Sequence, residues 1–160
     1  MPLERVTYRF TVRLPVSADR AYRWATDYRA DDLALMGFRA RRKVQVLAKG
    51  SVLLTDSFDA DPFGVVPGAR VVKDKLVHFF PEQRSWTSTH VSGPTLHSQF
   101  LYQIVPLGRN SSRLHYIGVQ IDHVKRAYSA TTLAKRAREL RQIDSRSWRR
   151  LARAMGEDYR

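Results

Sequence analysis

Residues 78–90 read HFFPEQRSWTSTH, and the reading of this stretch decides the reading of the chain. Alternating patterning runs into Pro81-Glu82-Gln83-Arg84 and out of it again. The tetrapeptide therefore reads as the turn of a hairpin, with Pro81 presetting the backbone angle at the first turn position. If residues 80 and 85 bracket that turn, 78 stands opposite about 87 and His90 opposite about 75. The two histidines then lie several residues apart along the ladder at ~3.4 Å per residue. A shared two-histidine acid–base centre is not expected.

Outward from the hairpin the same patterning continues. Segments 39–47 and 51–58 flank the turn signal Lys49-Gly50, and 69–80 follows a loop bearing Gly and Pro. After 84–91 come 96–106 and 112–121, separated by Ser92-Gly93-Pro94 and by Gly108-Arg109-Asn110-Ser111. Six strands with short connections imply an antiparallel meander, since parallel neighbours need long crossovers. Upstream, Val6, Tyr8, Phe10, Val12 and Leu14 alternate with polar residues, which predicts a half-buried strand ended by Pro15. Ser17 then caps a short helix with Asp19 in its first turn. Ala18, Ala21, Tyr22 and Ala25 share one face of it, and Tyr28 continues that face. Residues 31–38 read as a short second helix or a loop ending at Gly37. From about Ala127 to Met155 the period changes: Leu133, Ala137, Leu140, Asp144, Trp148, Leu151 and Met155 recur at steps of three and four. That is one long amphipathic helix with Asp144 intruding on its apolar stripe.

The chain has 160 residues, 43% of them apolar, which suits one domain spanning 1–160. No apolar run reaches the ~18 residues of a membrane span, and the N-terminus lacks the apolar core of a signal peptide. The sequence contains no cysteine, which removes disulfides and thiolate chemistry and points simply to the cytoplasm. With 28 Lys+Arg against 15 Asp+Glu the net charge is +13. Nucleic acid, an anionic membrane surface or an acidic partner would suit it. The charges are spread along the chain rather than gathered in a tail, which favours a merely arginine-rich composition.

The order strand, two short helices, six antiparallel strands and long C-terminal helix resembles the helix-grip fold of the SRPBCC (START/Bet v1-like) superfamily, and within it the polyketide cyclase/dehydrase-like proteins. The segments that carry the resemblance are VRLPVSADRAYRWATDY, VLAKGSVLLTDSF, LVHFFPEQRSWTSTHVSG and FLYQIVPLGRNSSRLHYIGV. One departure stands out: DDLALMGF occupies the place where a tryptophan often follows the first helices. The resemblance implies an α+β fold, a curved seven-stranded antiparallel sheet wrapped around the C-terminal helix. It also implies a cavity between sheet and helix for an apolar small molecule. Pockets between such layers are physically reasonable in their own right.

In segment 69–80, Lys73 and Lys75 are expected to face water, which sends Val72, Asp74, Leu76 and His78 inward. Trp86, Ser88 and His90 share a face, as do Ser98, Phe100, Tyr102 and Ile104. The candidate ligand-binding residues are thus Asp74, His78, Trp86, Ser88, His90, Phe100 and Tyr102. Tyr28, Phe58, Tyr116, Asp144 and Trp148 complete the set. Asp74, His90 and Tyr102 are the catalytic candidates for acid–base chemistry. The alternative is that these polar positions are hydrated or mutually bonded near the sheet's open end. Trp86 is expected to present a flat face to the ligand. Asp144 either meets Asp74, which would raise one pKa, or pairs with Arg141 or Arg146 or sits at the rim.

The histidines at 78, 90, 97, 115 and 123 show no ligand spacing, so no metal is expected. No G-x-S-x-G, P-loop or dinucleotide glycine pattern is present, and no cofactor is expected. The cluster Arg39, Arg41, Arg42 and Lys43 reads as a solvated face, because the aromatics that base stacking needs point elsewhere. The leading function is non-enzymatic or weakly enzymatic binding of an apolar, aromatic or lipid-like molecule. A cyclase/aromatase-like enzyme comes second, and a basic surface for nucleic acid or anionic membrane third. The chain is expected to be a monomer, or a homodimer paired through the edge of segment 39–47.

Overall fold

A computed structural model describes residues 2–160. Strand β1 (Leu3–Leu14) leads into helices α1 (Ala18–Thr26) and α2 (Asp32–Leu35). Six strands follow: β2 (Ala40–Ala48), β3 (Ser51–Phe58), β4 (Val71–Phe80), β5 (Ser85–His90), β6 (Gln99–Gly108) and β7 (Ser111–His123). Helix α3 (Ala130–Asp158) ends the chain. The strands form one antiparallel sheet in the order β1-β7-β6-β5-β4-β3-β2. It is curved and grips α3, the helix-grip arrangement.

Local chemistry explains the elements. Ser17 Oγ accepts from the Arg20 amide and caps α1, and Ser129 Oγ accepts from the Thr132 amide and caps α3. The true cap sets the start of α3 at Ala130, three residues later than the stripe suggested. In the hairpin, Phe80 pairs with Ser85, His78 with Thr87 and Lys75 with His90, the register expected from the turn. Pro81–Gln83 form a 3-10 turn closed by Arg84, whose φ of 47° is left-handed.

On α3, Leu140, Trp148, Leu151 and Met155 are buried against the sheet. Each such side chain contributes roughly 1.5–3 kcal/mol on burial. Val6, Tyr8, Phe10, Val12 and Leu14 line the same core from β1, as their alternation predicts. Arg138, Arg141, Arg146, Arg149, Arg150 and Arg153 lie exposed on the outer face of α3.

The parity of β4 is the reverse of the expectation. Val71, Lys73 and Val77 are buried and Lys75 is largely covered, whereas Val72 and His78 are exposed. Paired residues of an antiparallel ladder share a face. Lys73 stands opposite Asp56, and Lys75 opposite Leu54 and His90, all of them inward. The assignment of both lysines to water therefore fails: the carboxylate of Asp56 and the packing of Val71 and Val77 outweigh lysine's preference for solvent. Arg42 also departs from expectation. It is buried on the inner face of β2 opposite Asp56, not part of a solvated cluster.

Candidate functional site

Between the concave face of the sheet and α3 lies a cavity that residues of α1 and α2 also line. Leu54 and Phe58 of β3, Phe100 and Tyr102 of β6 and Tyr116 of β7 form one wall. Trp148 and Leu151 of α3 form the other, and Trp24, Ala25, Tyr28, Leu33 and Met36 stand at the helical end. The apolar character follows from period-two placement on the strands and period-3.6 placement on α3.

Of the residues singled out from sequence, Tyr28, Phe58, Ser88, His90, Phe100, Tyr102, Tyr116, Asp144 and Trp148 line this cavity. Three do not. Asp74 lies on the outer face, where it accepts from Thr55 Oγ1 at 2.7 Å and Ser92 Oγ at 2.8 Å. His78 is exposed on the same face. Both follow from the reversed parity of β4, and a meeting of Asp74 with Asp144 is ruled out by it. Trp86 is fully buried, but Tyr102 covers it: the two rings stack at 4.8 Å with planes 1° apart. Tyr102, directly opposite in the ladder, presents its own ring to the cavity in place of Trp86.

Asp144 pairs with neither Arg141 nor Arg146. The Tyr116 hydroxyl donates to its Oδ2 at 2.8 Å, the Tyr8 hydroxyl donates to the same oxygen, and the two hydroxyls lie 3.3 Å apart. Burial raises the Asp144 pKa above the usual carboxylate value, and the two tyrosine bonds oppose that rise. Burial likewise pushes the Tyr8, Tyr102 and Tyr116 phenols well up. Phenols thus remain donors, and Asp144 is a carboxyl group held at the cavity wall by two of them. His90 is hydrogen-bonded through Nδ1 to Thr95 Oγ1 at 2.8 Å. Burial, with the charges of Lys75 and Lys73, lowers its pKa well below the ordinary imidazole value, so it is neutral at pH 7.

The charged floor escaped sequence reasoning. Asp56, fully buried, accepts from Arg42 Nε at 2.7 Å and Nη2 at 2.8 Å, and Lys75 Nζ lies 2.7 Å from it. Burial alone would raise the Asp56 pKa, but Lys75 and Arg42 together hold it far below the usual range. Lys73 is buried beside this cluster without an ion pair among the described residues. Burial, then the charge of Lys75, lowers its pKa to about 7. A signal was available: Val52, Leu54, Asp56 and Phe58 share one strand face, and a carboxylate there requires a cation inside.

Among the described residues no three His, Asp or Glu side chains group to hold a metal ion, and no helix is long and apolar enough to cross a membrane. No family model and no curated protein sequence matches the chain. Solved structures match nearly end to end. The Zhui aromatase/cyclase of Streptomyces superposes with a TM-score of 0.69 at 13% identity, over 97% of this chain and 93% of that one. The chain has the START/Bet v1-like helix-grip fold. A START superfamily protein from Mycobacterium smegmatis matches with TM-score 0.68 and 16% identity, covering 89% of this chain and 94% of its own. The Bet v1-type protein Ara h 8.0201 gives 0.66 at 10%, over 95% and 98%. At such identities the likeness is one of fold, shared by proteins of differing function.

Proposed function

We propose that this START-like chain, acting as one domain of residues 1–160 in the cytoplasm, binds an apolar small molecule, aromatic or lipid-like, and carries or sequesters it. The cavity carries this reading. Its aromatic and aliphatic walls, joined by a small set of charged and polar side chains on the β2–β4 side and at Asp144, match the mostly apolar lining with convergent polar groups that is typical of small-molecule sites. Neighbours named as a START superfamily protein and an aromatase/cyclase support a ligand of that class. The test is binding of the neutral fluorophore N-phenyl-1-naphthylamine, read as fluorescence gain and as a rise in Tm. Ala25→Phe, which narrows the space from α1, should weaken it. No fluorescence gain with folded protein would end this reading.

A second reading, a cyclase-like enzyme working by acid–base chemistry, is favoured by one observation: the Asp144 carboxyl faces the cavity with two phenols bonded to one oxygen. A carboxyl with a raised pKa beside a substrate is suited to donate or take a proton. Turnover of a poly-β-ketone-type substrate that Asp144→Asn abolishes, while N-phenyl-1-naphthylamine still binds, would replace carriage by catalysis.

A further inference from the structure

We propose that the molecule bound in this cavity carries a carboxylate, and that Lys73 receives it as an ion pair on the cavity floor. The inference rests on the small-molecule reading above and adds the chemistry of one end of the ligand.

Lys73 projects from β4 into the cavity and is 2% exposed. Its Nζ lies 4.2 Å from the centre of the Phe63 ring and 5.7 Å from that of Phe58. Ring faces attract an ammonium but only partly replace the water it has lost. Every carboxylate nearby is committed elsewhere. Asp56, its ladder partner, is held by Arg42 and Lys75. Asp61 accepts from the backbone amides of Phe63, Val65 and Val66 at 2.7–2.9 Å. Asp144 is occupied by the Tyr8 and Tyr116 hydroxyls. Asp32 bonds the Arg29 amide at 2.9 Å and lies 3.5 Å from Arg42. An unpaired ammonium at the floor of an aromatic chamber is the counterpart of an acid group whose remainder is apolar. A neutral ligand would leave that cation buried without a partner.

Titration gives the pairing a signature. Burial and the Lys75 charge lower Lys73 to about 7, opposed by Asp61, Asp144 and Asp56; neutral His90 adds no charge. Above pH 7 the amine is increasingly neutral, and a carboxylate must draw a proton onto it to bind. Affinity for an acid therefore falls as pH rises past 7, by up to about tenfold per pH unit. Affinity for a neutral isostere stays level.

The experiment displaces N-phenyl-1-naphthylamine with 2-naphthoic acid and with 2-naphthamide, at pH 6.5 and pH 8.5. Wild type should prefer the acid at least about tenfold at pH 6.5, equivalent to one ion pair of about 1.4 kcal/mol. Most of that preference should vanish at pH 8.5. In Lys73→Met it should be absent at both pH values, with amide and fluorophore still bound. If Lys73→Met does not fold, the pH profile of wild type decides. Acid and amide bound equally at pH 6.5, or an acid preference that survives pH 8.5, overturns the role of Lys73 while the apolar-cavity reading stands. Failure of the fluorophore itself to bind overturns both.

Discussion

Arg42 and Asp56 face each other across the β2–β3 ladder and are joined by two hydrogen bonds of 2.7 and 2.8 Å, on the inside of the sheet. Removing one partner leaves the other as an uncompensated buried charge, which costs about 3–5 kcal/mol. Arg42→Met should cost less than Asp56→Ala, because Lys75 remains to pair with Asp56 at 2.7 Å, whereas losing Asp56 strands two cations. Urea denaturation at pH 7 checks the order. The pair also sets acid behaviour. The folded pKa of Asp56 is depressed, so its contribution is present above the unfolded value of ~3.9 and is lost as pH falls below it. His90, depressed as well, acts sooner: the unfolded chain takes up its proton near pH 6.5, which already favours unfolding there. Tm should thus decline in two stages, and His90→Gln should remove the first.

Lys73 carries the same slope, stability rising with pH, into alkali. Its folded pKa of about 7 lies below an unfolded value near 10.4. The unfolded chain therefore binds more protons between pH 7 and pH 9.5, and stability rises with pH across that window. Full recovery is on the order of 4 kcal/mol by pH arithmetic. Lys73→Met should be more stable than wild type at pH 7 and should flatten the slope. A wild type whose stability falls steadily from pH 7 to 9.5 would show that Lys73 is protonated in the fold.

Much of this architecture was legible because its signals are local. The alternation Val6 to Leu14, the Ser17 cap and the Pro81 turn each act within a few residues, and the turn fixed the pairing of 75 with 90. That pairing held the answer to the parity of β4 as well, since ladder partners share a face. With His90 inside, Lys75 had to be inside too. The assumption that lysine seeks water obscured it, and Asp74 and His78 went to the wrong face with it. The Arg42–Asp56–Lys75 cluster joins three strands, and no window of sequence displays all three together. The stacking of Tyr102 on Trp86 joins ladder partners of two strands, and alternation within one strand does not show which of the two rings reaches the cavity.

That layering separates stability from recognition. Trp86→Ala should cost about 3–5 kcal/mol, as large core truncations do. Trp86→Phe should cost less than the lost ring area suggests. The Trp86 Nε1–H is buried near the Tyr28 hydroxyl but makes no well-formed hydrogen bond among the described residues, and the substitution removes that poorly met donor. Since Tyr102 stands between Trp86 and the cavity, Trp86→Phe should leave fluorophore affinity nearly unchanged. Tyr102→Ala should weaken it strongly with the fold retained. Binding lost in Trp86→Phe but kept in Tyr102→Ala would reverse the order of the two rings.

Gly118 stands opposite Tyr8 in the β1–β7 ladder. A Cβ added there would lie 2.8 Å from Tyr8 Cζ, 2.9 Å from its Cε1 and 3.1 Å from Tyr116 Cε1. The missing side chain is what lets the Tyr8 ring cross its partner and bring its hydroxyl to Asp144. Gly118→Ala forces that buried ring aside, an overpacking cost of about 1–3 kcal/mol. It also weakens a hydrogen bond that lowers the Asp144 pKa, leaving burial less opposed, so that pKa should rise further. The sign for stability follows: with the folded value above the unfolded ~3.9, the Asp144 contribution is present below that pH and lost as pH rises through the folded value. Carbon-13 NMR titration of the Asp144 carboxyl compares wild type, Gly118→Ala and Tyr8→Phe. Both variants should move it upward, Tyr8→Phe with little loss of packing. An unchanged titration in Tyr8→Phe would mean that Tyr116 alone holds the carboxyl, and that the space at Gly118 serves packing only.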